Sequence, residues 1–123
     1  GLMKQIIVPP KVEQPNQAIT YADNMPEFPG GEKALNAFID RNFKIPSRIY
    51  DFADDVTVVV EFVIDENGDV VDVQILSCNK PGFGIEREAK SIYANMPKWK
   101  AGIHQGEKAK VRMRQPIKIQ INW

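Results

Sequence analysis

The sequence predicts a small α+β domain, a three-stranded antiparallel sheet with two helices packed on one face, and three observations carry that prediction. Residues 56–64 alternate with period two, an Asn-Gly pair follows them, and two other stretches repeat apolar residues every three or four positions. At 123 residues, 43% apolar and 26% charged, the chain has room for one core and not for two.

Five of the nine prolines (Pro9, Pro10, Pro15, Pro26, Pro29) fall in the first 31 residues. Proline fixes φ and lacks a donor, so this opening reads as an extended linker, with residues 1–17 outside the domain and 18–123 inside it. After Gly30-Gly31 the apolar stripe Leu35, Phe38, Ile39 predicts a helix over about 32–42, ended before Pro46. Val56, Val58, Val60, Phe62 and Ile64 then alternate with Thr57, Val59, Glu61 and Val63, a strand with one fully apolar face. Asn67-Gly68 is a hairpin signal because both residues accept positive φ, and the return strand offers Val71, Val73 and Ile75 to the same core. Gly82-Phe83-Gly84 opens a second helix with Ile85, Ala89, Ile92 and Met96 on one face, stopped by Pro97. After Trp99 and a Gly-containing loop comes a last strand, in which Val111, Met113, Ile117, Ile119 and Ile121 alternate with Arg112, Arg114, Lys118 and Gln120.

Sixteen basic residues balance sixteen acidic ones, which argues against a simple electrostatic nucleic-acid binder. The balance is unevenly spread. Residues 51–72 hold eight acids and no Lys or Arg, whereas residues 97–123 hold seven bases against Glu107 alone. Either the two stretches neutralise each other in the fold, or the last quarter is a basic partner surface. Nucleic-acid platforms need aromatic residues on an open sheet face, where this sequence places Thr57, Val59, Glu61, Asp72 and Gln74. No nucleic-acid partner is expected.

The catalytic inventory is thin. His104 is the single histidine and lies far in sequence from the single cysteine, Cys78. The glycine of Asp65-Glu66-Asn67-Gly68-Asp69 comes too early for a calcium loop. Arg87 stands where a dinucleotide fingerprint needs its third glycine. The expectation is no enzyme, no metal and no cofactor. No apolar run approaches the roughly 18–20 residues of a membrane span.

Pro116 lies in the middle of the last strand and cannot donate to a ladder, so that strand should be an edge with position 116 facing outward, unless a bulge accommodates it. Alternate residues share a side, so Arg112, Arg114, Lys118 and Gln120 should share the free side of Pro116. Such an edge accepts an extended peptide, or else its charges merely protect it from aggregation.

As a set these residues resemble the TonB C-terminal domain family in the form typical of Bacteroidetes. Met25-Pro26-Glu27-Phe28-Pro29-Gly30-Gly31-Glu32, the hairpin Asp65 to Val73, and Met96-Pro97-Lys98-Trp99-Lys100-Ala101-Gly102 carry the likeness, which runs from about Ala18 to Trp123. The resemblance implies a periplasmic energy-transducing adaptor, anchored to the inner membrane and its proton-motive-force complex by a segment absent from this chain. Its partner would be the N-terminal Ton box of outer-membrane receptors, captured by strand addition. Mapped here, it implies Val111 to Ile121 as the docking strand, with Arg112, Arg114, Pro116, Lys118, Ile119 and Gln120 in contact and Ile45-Pro46 as neighbours. Trp99 is expected as a core anchor. A sensor module of a membrane-bound regulatory peptidase, a freestanding periplasmic binding domain, a purely structural envelope domain and a homodimer by strand exchange remain as alternatives.

Overall fold

The computed structural model describes residues 17–52 and 55–120. Its elements are α1 (Gly31–Asn42), a 3₁₀ helix (Ser47–Phe52), β1 (Val56–Ile64), β2 (Val70–Cys78), α2 (Ile85–Ala94), β3 (Gly102–His104), β4 (Glu107–Ala109) and β5 (Val111–Ile119). The main sheet has the order β2-β1-β5, all antiparallel, with β3 and β4 forming a separate two-stranded ladder. Both helices lie on one face of the main sheet. The predicted linker of residues 1–17 falls outside the described residues except for Gln17, as do Ile121 and Trp123.

β1 is central because its sequence tolerates cover on both sides. Val56, Val58, Val60, Phe62 and Ile64 point into the core, and Glu61 and Val63 on the opposite face are also buried. Leu35 and Ile39 of α1 and Ile85, Ala89, Ile92 and Tyr93 of α2 close the core above them. Aromatic rings link the two halves: Phe28 meets Trp99 edge-on with centroids 5.5 Å apart, and Trp99 meets Phe62 at 5.4 Å. Such contacts add directionality to apolar burial. Trp99 is 6% exposed, the core anchor expected of it.

Several local expectations needed correction. In β2 the core-facing residues are Val70, Val73, Ile75 and Cys78, with Val71 displaced from the inner face. The register against β1 slips twice, between Val59 and Val60 and between Glu61 and Val63, and Asp72 has φ 50. Each extra residue in one strand of a pair flips the alternation that follows it. The hairpin also differs from a two-residue Asn-Gly turn. Of that pair only Gly68 has positive φ, at 84; Gly68 N–H donates to Asp65 O at 3.0 Å, and Asp65 N–H donates to Asp69 O at 3.0 Å. This is a three-residue loop closed by a left-handed glycine, and the Asp65 carboxylate caps it by accepting from the N–H groups of Asn67 and Asp69.

The loop expected after Trp99 contains the β3–β4 hairpin. Its turn residues Gln105 and Gly106 have φ 53 and 79, and the N–H of Gln105 donates to Asp23 Oδ2 at 2.9 Å. Residues 19–28, in the Pro-containing opening of the chain, are extended and bound to the rest of the domain. Asn24 pairs with Ile103, Glu27 with Lys100 and Ile19 with Val111, while Ala22 and Phe28 are buried. α2 ends at Ala94, so Met96 packs on the core from beyond the helix.

Candidate functional site

β5 is an edge strand, and its backbone parity can be read directly. Arg112 N–H donates to Ile19 O at 2.7 Å and Lys110 O accepts from Ile19 N–H at 2.9 Å, so Arg112 turns its donor away from β1. Residues two apart share that direction. Arg114, Pro116 and Lys118 therefore direct their main-chain polar groups outward, beyond the point where Ile19 stops. The antiparallel pairing of Val59 with Pro116 is continuous with its neighbours, so no bulge intervenes and the missing donor of Pro116 falls on the free side.

Beside this edge runs a cleft. One part, of about 630 Å³, lies between Asn36, Ile39, Asp40, Phe43 and Ile45 on the α1 side and residues 115–120 of the edge. A second part, of about 500 Å³, continues past Phe28, Glu32, Leu35 and Trp99 to Met113 and Arg114, and shares Asn36, Gln115 and Pro116 with the first. The far wall is held in place by Lys44 N–H, which donates to Glu88 Oε1 on α2 at 3.0 Å. The floor includes Gln115, whose Oε1 accepts from the buried Tyr93 hydroxyl at 2.8 Å. Burial pushes the Tyr93 phenol well above its usual range, so it stays a neutral donor.

On the opposite face of the sheet Glu61 stands across from Arg114. Its Oε1 accepts from Arg112 Nη1 at 3.1 Å and its Oε2 from Arg114 Nε at 2.9 Å. The Arg114 hydrogen bond is the main cause that holds the Glu61 carboxyl below the usual glutamate range, with Arg112 adding to it against the opposing effect of burial. This buried acid with two guanidinium partners, together with Lys98 bonded to Asp69 at 3.2 Å, shows the acidic and basic stretches meeting in the fold. The neutralisation is incomplete. Arg114 keeps 70% of its side chain exposed, and among the described residues no carboxylate lies within ion-pair distance of the exposed Lys118.

Of the sequence-derived contact residues, Arg114, Pro116, Lys118, Ile119 and Gln120 line the cleft or its rim, and Ile45 faces them from the far wall. Pro46 is half-buried, outside the lining, and accepts from Ile49 N–H. Val111 is fully buried, Arg112 is engaged by Ile19 and Glu61, and Ile121 falls outside the described residues. Sequence reasoning missed the α1 wall. Asn36 and Asp40, four residues apart on a predicted helix and so on one face, were the available signal. It missed Ile19 as well, because a backbone bridge leaves no side-chain pattern.

Two helices on a three-stranded sheet with one edge open beside a cleft define a small α+β domain of the kind whose open edge offers unpaired backbone groups. Residues 54–120, more than half of the chain, match the family described as Gram-negative bacterial TonB protein C-terminal, and the chain belongs to that family. It is a TonB-like periplasmic domain. The solution structure of the Helicobacter pylori TonB-CTD is similar in fold, with 18% identity, a TM-score of 0.53, and coverage of 74% of this chain and 94% of that one. A Vibrio anguillarum tonb2 protein structure aligns over 100% of this chain and 98% of that one at 17% identity and a TM-score of 0.46. No curated protein matches the chain. Among the described residues no helix is long and apolar enough to cross a membrane.

Proposed function

We propose that this domain is the receptor-capturing end of a periplasmic energy-transducing adaptor, and that it takes up the Ton box of outer-membrane receptors as an added strand on β5. The observation that carries this reading is the outward parity of Arg114, Pro116 and Lys118 on an edge strand flanked by a cleft. Anchoring to the inner membrane and its proton-motive-force complex belongs to the same proposal, through a segment outside this chain.

The energetics suit a contact that forms and releases. Arg114 and Lys118 each offer a donor and an acceptor, and Pro116 adds an acceptor. At about 1 kcal/mol net per bond these give about 5 kcal/mol. A micromolar complex needs about 8 kcal/mol, so about 3 kcal/mol plus the cost of ordering the peptide must come from apolar side chains entering the cleft. The test is an amide-shift titration of the isotope-labelled chain with receptor N-terminal peptides. Perturbation concentrated on residues 113–120 and on the facing residues of α1 is expected; a set of peptides that leaves β5 unmoved refutes the proposal.

A further inference from the structure

The two sides of the β5 edge carry opposite charge. On the open face of the sheet stand Arg114, 70% exposed although tied to Glu61, and Lys118, exposed and without an ion-pair partner among the described residues. On the helix side the rim of the cleft carries Glu27, Glu32 and Asp40. Glu27 and Glu32 sit at the N-terminal end of α1, where a helix dipole favours carboxylates. Asp40 does not share that explanation, because it lies in the last turn of α1, where the dipole opposes it. It is exposed, and among the described residues no basic group lies within ion-pair distance of it. Between the two rims the cleft is lined by the apolar side chains of Ile39, Phe43, Ile45, Ile117 and Ile119.

A strand added to β5 must send alternate side chains to these two environments. We propose that the edge reads the two faces of its partner separately. The occupant is an extended segment of another protein that carries acidic residues at the positions facing Arg114 and Lys118, and apolar residues with a basic one near Asp40 at the positions between. This deepens the strand-addition reading and rests on it. Charge of opposite sign on the two sides also opposes a slip by one residue, which would bring acids onto the Asp40 rim and apolar groups into water. It disfavours a second copy of this chain as occupant, because the copy's own β5 would bring Arg114 and Lys118 to the same cationic face.

The test uses two synthetic ten-residue peptides of identical composition, four Glu, five Val and one Lys, titrated into the full chain and followed by amide shifts. One alternates Glu with the other residues; the other groups its glutamates in adjacent pairs. The alternating peptide is expected to bind at least about tenfold more tightly, with shifts centred on residues 113–120. Lys118→Glu is expected to weaken it about threefold to tenfold, since reversal turns an exposed attraction into a repulsion of similar size. Replacing the facing Glu of the peptide by Lys should restore the loss. Asp40→Lys should abolish the advantage of the peptide lysine over a valine in its place. Both substitutions are at exposed positions outside the core, and an unchanged spectrum away from the cleft verifies the fold. Equal binding of the two peptides along β5 overturns the two-faced reading while leaving strand addition standing. No shift with either peptide or with receptor segments overturns both. Shifts on β5 that grow with protein concentration alone assign the edge to a second copy and overturn the inference.

Discussion

Replacing Gly68 by alanine should be among the most damaging single-atom additions in this domain, for two separable reasons. Gly68 has φ 84, and a left-handed backbone costs a non-glycine residue about 1–2 kcal/mol. A Cβ at this position would also lie 2.0 Å from the backbone oxygen of Trp99. That oxygen cannot swing aside as a side chain would, because Trp99 N–H donates to Gly68 O at 2.8 Å and the Trp99 ring is packed between Phe28 and Phe62. Forcing such a contact apart costs about 1–3 kcal/mol more, for a total of about 2–5 kcal/mol. At roughly 4 °C per kcal/mol, the value between those of smaller and larger domains, the melting temperature should fall by about 8–20 °C. Gly82→Ala is the internal control, since Gly82 has φ 89 but nothing within 4 Å of an added Cβ, and so carries the conformational cost alone. Urea denaturation followed by tryptophan fluorescence and thermal melts by circular dichroism measure both variants. If the two lose the same stability to within about 0.5 kcal/mol, the steric account of the Gly68–Trp99 contact is wrong.

The Glu61 carboxyl is held low in the folded state, so its contribution to stability is present above the ordinary glutamate value and is lost as pH falls through the lower folded one. Glu61→Gln should therefore flatten the fall in stability on the acid side of the ordinary glutamate range, as read by urea midpoints across pH; an unchanged slope would count against the Arg114–Glu61–Arg112 cluster as its cause. Ile19→Pro removes the donor to Lys110 O, loosens the arm by about 1 kcal/mol and exposes Arg112 N–H. The peptide footprint in an amide-shift titration should then extend to residues 110–112, whereas an unaltered footprint would show that Ile19 does not set its limit. Lys118→Pro should leave the fold intact and weaken peptide binding by about fivefold, the loss of one outward hydrogen bond; unfolding would refute the assigned parity.

How much of this was legible beforehand depended on where each signal resides. β1 matches its predicted span because alternation of side chains is local, and the edge position of β5 was readable because Pro116 excludes itself from an interior ladder. The inner face of β2 was not readable at its start, since the bulge at Asp72 resets the alternation and its sequence has no glycine to mark it. Gln105 gives a weak turn signal on its own; its positive φ is supported from a distance by Asp23. Arg112 and Arg114 looked like free contacts because their link to Glu61 exists only across the register of two strands far apart in sequence.

The bridge from Ile19 to β5 has a mechanical consequence. Ile19 runs parallel to β5 at its first residue, so tension applied at Gln17 enters β5 through two short hydrogen bonds, without first crossing the helices. A partner strand lying along the same edge and pulled from its far end would load its bonds to Arg114, Pro116 and Lys118 together, in shear, and not one after another. The donor missing at Pro116 would lower the number of bonds sharing that load, and with it the force at which such a partner would part from the edge.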